Sequence, residues 1–325
     1  MYYTDSMGLP NCILILTPHH PAQIWEGNDP EIKTPYLRAL ALHGTYFSNA
    51  YSPIPIGTTP IGDALQETLF DPMESSLNSK QYTSAIVGLE PSIQHLKDSF
   101  EYNIPVDPGT KDLIQSLGDR VVRQIQQLKA PFFLTLLLPE AEGNVQELPE
   151  LRQSIEETDR QIGRILATLS ARGHTNNIIL YAGLAGEKSG EESEFLHFRD
   201  PALKVPLLVS GISGQQRNTT VDAPVSIAHI APAFHNIIQQ TSDAALLSLL
   251  KDPQAHQPRY VFLESNDGTK IVRTHHYKLI MQPNTSGGIL YDLHHDSKET
   301  TNVYGKPSSL GEQLRLQQLI AEPTK

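Results

Sequence analysis

Four short, mostly apolar runs set the terms for this chain: Cys12–Leu16, Phe132–Leu138, Asn177–Tyr181 and Val205–Val209. None alternates polar with apolar, so each reads as a strand covered on both faces of a central sheet. Segments of helical period lie between them. Thr34 and Pro35 read as an N-cap and first-turn proline, Leu37, Leu40 and Ala41 follow at helical spacing, and Gly44 is predicted to end that helix as a left-handed cap. Leu113, Leu117, Val121, Ile125 and Leu128 mark an amphipathic helix over 112–128. Ile155, Ile162, Ile165, Leu166 and Leu169 mark the longest, over 151–172, closed by Gly173. Further helices are expected over 63–69 and 226–239, and further strands over 46–51 and 82–88. The stretch 90–110 is weakly patterned and reads as loop. Strands alternating with helices in this way specify an α/β fold, a mostly parallel sheet sandwiched by helices.

After Pro258 the texture changes. Tyr260–Glu264, Lys270–Arg273, Tyr277–Met281 and Ile289–Asp292 are short β-rich pieces separated by turns at Asn266–Gly268 and Ser286–Gly288. They predict a small antiparallel sheet closed by a helix over Leu310–Ala321. The division expected is a core domain over 1–257 and a small β subdomain over 258–325.

Composition narrows the function classes. An apolar content of 39% over 325 residues suits a large globular core. The formal charge of −11 argues against a nucleic-acid partner, which wants a basic face. A single cysteine, Cys12, forms no internal disulfide and sits in an apolar run where a small buried hydrophobe is the plain reading. The first ten residues hold no basic-then-apolar leader, and Cys12–Leu16 is too short to span a bilayer. The expectation is a cytoplasmic protein with no membrane span.

With these pieces placed, the chain resembles the sulfatase branch of the alkaline phosphatase superfamily. The phrases that carry the resemblance are NCILIL, TPYLRALALHGTYFSNAYSPIP, QYTSAIVG, APFFLTLLL, TDRQIGRILATLSARGHTNNIILYAG, KVPLLVSG and the C-terminal IVRTHHYKLIM…ILYDLHHDSKETTNV. It spans nearly the whole length, and the last phrase is the most specific. The resemblance implies a Ca²⁺ or Mg²⁺ site of hard oxygen ligands, a Cys or Ser nucleophile beside it, and cations that neutralise a sulfate or phosphate.

Position by position, the residues that stand where the family keeps that chemistry are of other kinds. Pro18 and His19 align with the carboxylate pair after the first strand. Gly57 aligns with the nucleophile and Ile61 with the arginine of the same turn. Leu89 and Pro91 align with the lysine and histidine after the QYTSAIVG strand. The next histidine falls in Glu140–Glu142. Leu184 and Ala185 align with the Asp–His pair after the later strand, and the downstream lysine falls near Phe195 or Leu196. Aliphatic side chains cannot bind a hard divalent cation. The expectation is a pseudoenzyme-like scaffold with no family-type metal, acting through a protein partner, as a homo-oligomer or on an unidentified small molecule.

Two alternatives stand beside it. Thr58 and Thr59 offer hydroxyls one and two residues past the nucleophile position, though capping the next helix is the simpler role. His19 and His20 are expected at the mouth of the site, where together with His197, Glu187 or Glu191 they would favour Zn²⁺ over Ca²⁺. This is a sulfuric or phosphoric ester hydrolase with a rebuilt centre. The second alternative is a small-molecule sensor using the vestigial cleft. The pairs His275–His276 and His294–His295 read as solvated surface residues, because neighbouring side chains on a strand point apart. The acidic run of Glu187, Glu191, Glu192 and Glu194 reads as a solvated loop.

Overall fold

The first apolar run becomes β1 (Asn11–Thr17), every residue of which is buried. Its side chains divide between two cores: Cys12, Leu14 and Leu16 enter one and Ile13 and Ile15 the other. That division is why the run shows no alternation. Burial pushes the Cys12 thiol up to about 12, so it behaves as a small hydrophobe. The computed structural model describes residues 8–24, 29–53, 61–73, 82–139, 148–186, 198–239, 241, 244–254, 260–265, 267–283, 285 and 287–322.

Around β1 are β2 (Gly44–Tyr51), β3 (Thr83–Leu89), β4 (Tyr102–Val106), β5 (Phe132–Leu137), β6 (Asn177–Gly183), β7 (Lys204–Ser210), β8 (Thr219–Val221) and β9 (Val225–Ser226). They form one sheet in the order β4-β3-β5-β1-β6-β7-β2-β8, with β9 also beside β2. The pairs from β4 through β6 are parallel, β7 runs against both β6 and β2, and β8 and β9 are parallel to β2. The mostly parallel sheet expected from the sequence is therefore present.

One face carries α1 (Pro35–His43), α4 (Leu113–Gln127) and α5 (Leu148–Ala171). The other carries α2 (Ile61–Leu65) with its π-helical continuation Gln66–Phe70, together with α7 (Ile230–Ile238) and α8 (Ala245–Lys251). Two short helices sit at the strand ends, α3 (Glu90–Ile93) and α6 (Asp200–Leu203).

Several local expectations are corrected. Gly44 has φ −139°, not a left-handed value, and opens β2. It is glycine because a Cβ there would run into the Val209 carbonyl of β7. Thr34 makes no side-chain cap. The start of α1 is capped from a distance by Asp159 of α5, which accepts from the Tyr36 N–H at 3.2 Å and the Leu37 N–H at 2.7 Å. A carboxylate there satisfies orphan donors and meets the positive end of the helix dipole. The stretch read as loop over 90–110 holds α3, a 3₁₀ turn at Gln94–Leu96 and β4. The helix expected over 226–239 is split: Ser226 caps a 3₁₀ turn at Ile227–His229, and α7 follows.

The C-terminal pieces, β10 (Tyr260–Glu264), β11 (Lys270–Thr274), β12 (Tyr277–Met281) and β13 (Ile289–Asp292), form an antiparallel sheet in that order. Leu316 of α9 (Leu310–Ala321) packs on Val272, Leu279 and Leu290. The opposite face of this sheet joins the core through a cluster of Tyr51, Phe198, Leu203, Val261, Leu263, Ile271, Ile280 and Tyr291. The 257/258 boundary, Asn266 and Ser286 lie outside the described residues.

Candidate functional site

In open α/β sheets ligands bind beyond the carboxyl ends of the parallel strands. At the end of β1, Thr17 stands opposite Gly183 of β6. The pairing runs on past the strands: the Leu184 N–H donates to the Thr17 carbonyl at 2.8 Å, and the His20 N–H donates to the Ala185 carbonyl at 2.9 Å. Pro18–His19 and Leu184–Ala185, two separate places in the sequence reading, are thus side by side. Leu184 is 0% exposed and Ala185 5%, so this part of the edge is a dry, aliphatic floor.

His19 and His20 are not at an open mouth, as the sequence suggested; both are buried. His20 faces into the structure. Its Nε2 lies 2.6 Å from the Ile24 carbonyl, which can only accept, so Nε2 carries the proton. Its Nδ1 then accepts from the Tyr181 hydroxyl at 2.6 Å. Burial pulls the imidazole down to about 4 against a weaker opposing effect of the Ile24 bond. His20 is a neutral core residue with both ring nitrogens engaged in hydrogen bonds.

Leu89 ends β3 and immediately precedes α3, and Pro91 is exposed within that helix. Both are separated from β1 by β5. Gly88, the last match to the family phrase, is needed because α3 folds back so that Ile93 occupies the space of a Cβ. Ile61 opens α2, but its side chain is outside the description, as are Gly57, Thr58, Thr59, Glu140–Glu142, Glu187, Glu191, Glu192, Glu194, Phe195, Leu196 and His197.

Two groupings at this edge were not foreseen. The exposed pair Asp63 of α2 and His95 of the following 3₁₀ turn stand 3.5 Å apart. The larger one is a buried charge cluster. Asp200 of α6 accepts from Lys278 Nζ at 2.9 Å, from Arg273 at 3.1 Å and from the Tyr51 hydroxyl at 3.2 Å. Lys278, fully buried, also reaches Glu299 at 2.6 Å, and Glu299 accepts the Asp200 N–H at 2.6 Å. The Arg273 guanidinium lies over the Tyr51 ring, 5.2 Å from its centroid.

Burial alone would raise the Asp200 carboxyl, but Lys278 and Arg273 outweigh it and bring it to about 2. Glu299 is pushed upward, because burial and the Asp200 charge exceed the help from Lys278. Glu299 also holds φ at 56°, uncommon for a residue with a side chain. The sequence signal was a charge in each of two apolar strands, KIVRT and YKLIM.

Hard divalent cations take oxygen ligands, above all carboxylates. The described residues at the ends of β1 and β6 supply one threonine hydroxyl, two imidazoles and aliphatic groups but no carboxylate, so they do not fit such an ion. Among the described residues no group of three or more His, Cys, Asp or Glu is arranged to hold a metal. Among them, too, no helix is long and apolar enough to cross a membrane.

The nine-stranded sheet with its reversed β7 and the added four-stranded sheet make a sulfatase-like fold. Solved structures that share it include a sulfatase candidate from Bacteroides thetaiotaomicron, at 15% identity and TM-score 0.76 over 96% of this chain and 91% of that one. Another is a protein solved with its substrate D-glucosamine-2-N,6-O-disulfate, at 15% identity and TM-score 0.74 over 97% of each chain. A third is the phosphonate monoester hydrolase of Agrobacterium radiobacter, at 16% identity and TM-score 0.72 over 96% of each. No protein-family model matches the sequence, and no curated protein matches it.

Proposed function

We propose that this chain is a catalytically silent member of the sulfatase-like fold that acts by binding, as a subunit or partner in a protein assembly. The observation that carries the reading is the floor at the ends of β1 and β6. Leu184 and Ala185 stand beside Pro18 and His19, buried, and His20 is spent on Tyr181 and Ile24. A family-type reaction needs a divalent ion at that place to stabilise charge developing on the ester. Aliphatic groups supply neither ligands nor field.

The test is elemental analysis of the purified protein together with assays on 4-nitrophenyl sulfate, 4-nitrophenyl phosphate and a phenylphosphonate monoester. The expected result is no stoichiometric divalent metal and no turnover above the uncatalysed rate. Stoichiometric metal with turnover would sink the reading in favour of an ester hydrolase with a rebuilt centre. The activities named for the fold neighbours, sulfatase and phosphonate monoester hydrolase, are what that competing reading would inherit.

A further inference from the structure

A further groove lies beside α1, on the face of the sheet that also carries α4 and α5. Its volume is about 600 Å³, and it runs between α1 and the strands β2 and β8, reaching the first residue of β7. Arg38 of α1 and Lys204 of β7 line it, and no described carboxylate does. That is unusual in a chain of net charge −11. The other large groove, about 620 Å³ between α4 and α5, shows the contrast: it is lined by Asp112, Glu150 and Glu157 against a single Arg160.

Lys204 is half-buried, and among the described residues no carboxylate lies within ion-pair distance of it. Asp200 favours its charge from further off, but the Asp200 oxygens are already engaged by Lys278, Arg273 and Tyr51. Burial, and then Arg273, work against the ammonium, so its affinity for a proton is lowered. A half-buried cation with no described carboxylate in contact is stabilised by an anion that enters. Thr220 and Asn218 add a hydroxyl and an amide at the rim, whereas the hydroxyls of Ser48 and Thr219 are spent on the Val221 and Arg217 carbonyls. Ala41 and Leu42 form an apolar wall on the α1 side.

We propose that this groove is a binding site for a small organic dianion, its charge held by Lys204 and Arg38 and its apolar part against Ala41 and Leu42. Phosphate, sulfate and dicarboxylate groups share the required chemistry. The site does not depend on whether the β1–β6 edge is catalytic.

Isothermal titration calorimetry on the full chain at low ionic strength tests it, using inorganic phosphate, inorganic sulfate, succinate and acetate as probes. At least one dianion should bind saturably, and acetate at least about tenfold more weakly, the loss of one charge-assisted contact. Lys204→Met should weaken the dianion by about tenfold or more, while Arg315→Ala, an exposed change on α9, should leave it unaltered. If Lys204→Met does not fold, protection of Lys204 from reductive methylation by bound phosphate, read by mass spectrometry in the unaltered chain, serves instead. The proposal is overturned by no saturable binding, by acetate binding as well as the dianions, by equal losses in the two variants, or by no protection of Lys204.

Discussion

At one edge of the sheet two buried clusters touch, joined by the Gly186 N–H donating to the Ala202 carbonyl at 2.8 Å. Around Leu184 the groups are aliphatic or neutral, and His20 is kept uncharged. Around Asp200 the fold buries ionised groups of both signs and supports them with Tyr51 and the backbone of α6. The contrast shows that this fold is able to hold charge at its strand ends where the charge joins the two sheets. It also shows that the Leu184 region is not apolar for want of a scaffold that could solvate a carboxylate.

The sharpest way to break that contrast is Lys278→Met, which leaves Glu299 and one oxygen of Asp200 buried without their cation. Stability should fall by roughly 3–5 kcal/mol in a urea titration, and a loss below about 1 kcal/mol would mean the joint is decorative. Leu184→Asp is the reciprocal change. Placing a carboxylate on the dry floor should destabilise by about 3 kcal/mol, with no recovery in millimolar Ca²⁺. Recovery on adding Ca²⁺ would show that the edge still gathers oxygen ligands.

Acid titrates His20 and Asp200 in different pH windows. The folded His20 titrates near 4 against 6.5 for an unperturbed imidazole, so the unfolded chain takes up the proton first. The His20 contribution, about 3 kcal/mol, should therefore be lost as pH drops from 6.5 to 4, offset in part by Glu299, whose raised carboxyl takes up its proton first in the folded chain. Asp200 titrates near 2 against 3.8, so its contribution is complete above 3.8 and is lost between 3.8 and 2, a further drop of about 2 kcal/mol. Denaturant midpoints measured from pH 7 to 2 check both steps. His20→Gln, which keeps one acceptor and one donor, should remove the first while leaving the second.

Smaller effects follow. Asp159→Ala removes the long-range cap of α1 and should cost about 1–2 kcal/mol, measured at pH 7. Asp63→Asn at the exposed pair with His95 should change stability by less than about 0.5 kcal/mol. A larger effect would give that pair a role the geometry does not indicate.

Much of the scaffold was legible because burial on two faces leaves a direct mark. The central runs appear where the sequence places them, and β10, β12, β13 and α9 match to the residue. β4 was missed because it is a half-exposed strand, YNIPV, with a proline inside. Gly44 was assigned to the wrong cause, since the close approach of β7 comes from more than 160 positions away in the chain. Asp159 capping Tyr36 and Leu37 is likewise a long-range contact that no local pattern announces. At the site, Pro18–His19 and Leu184–Ala185 lie far apart in sequence, and the backbone bonds that run on past β1 and β6 set them side by side. The resemblance could not reveal that Tyr181, across the sheet, turns His20 inward.

The joint at Lys278 also bears on how the protein is made. Asp200, Tyr51, Phe198 and Leu203 belong to the core, but their cations and their apolar cover come from β10–β13, which leave the ribosome later. Until that segment arrives, the nascent core carries a bare carboxylate beside an uncovered aromatic patch, the kind of surface that chaperones hold and that aggregates if they do not. The core's burial at this corner is thus completed only by the last strands of the chain.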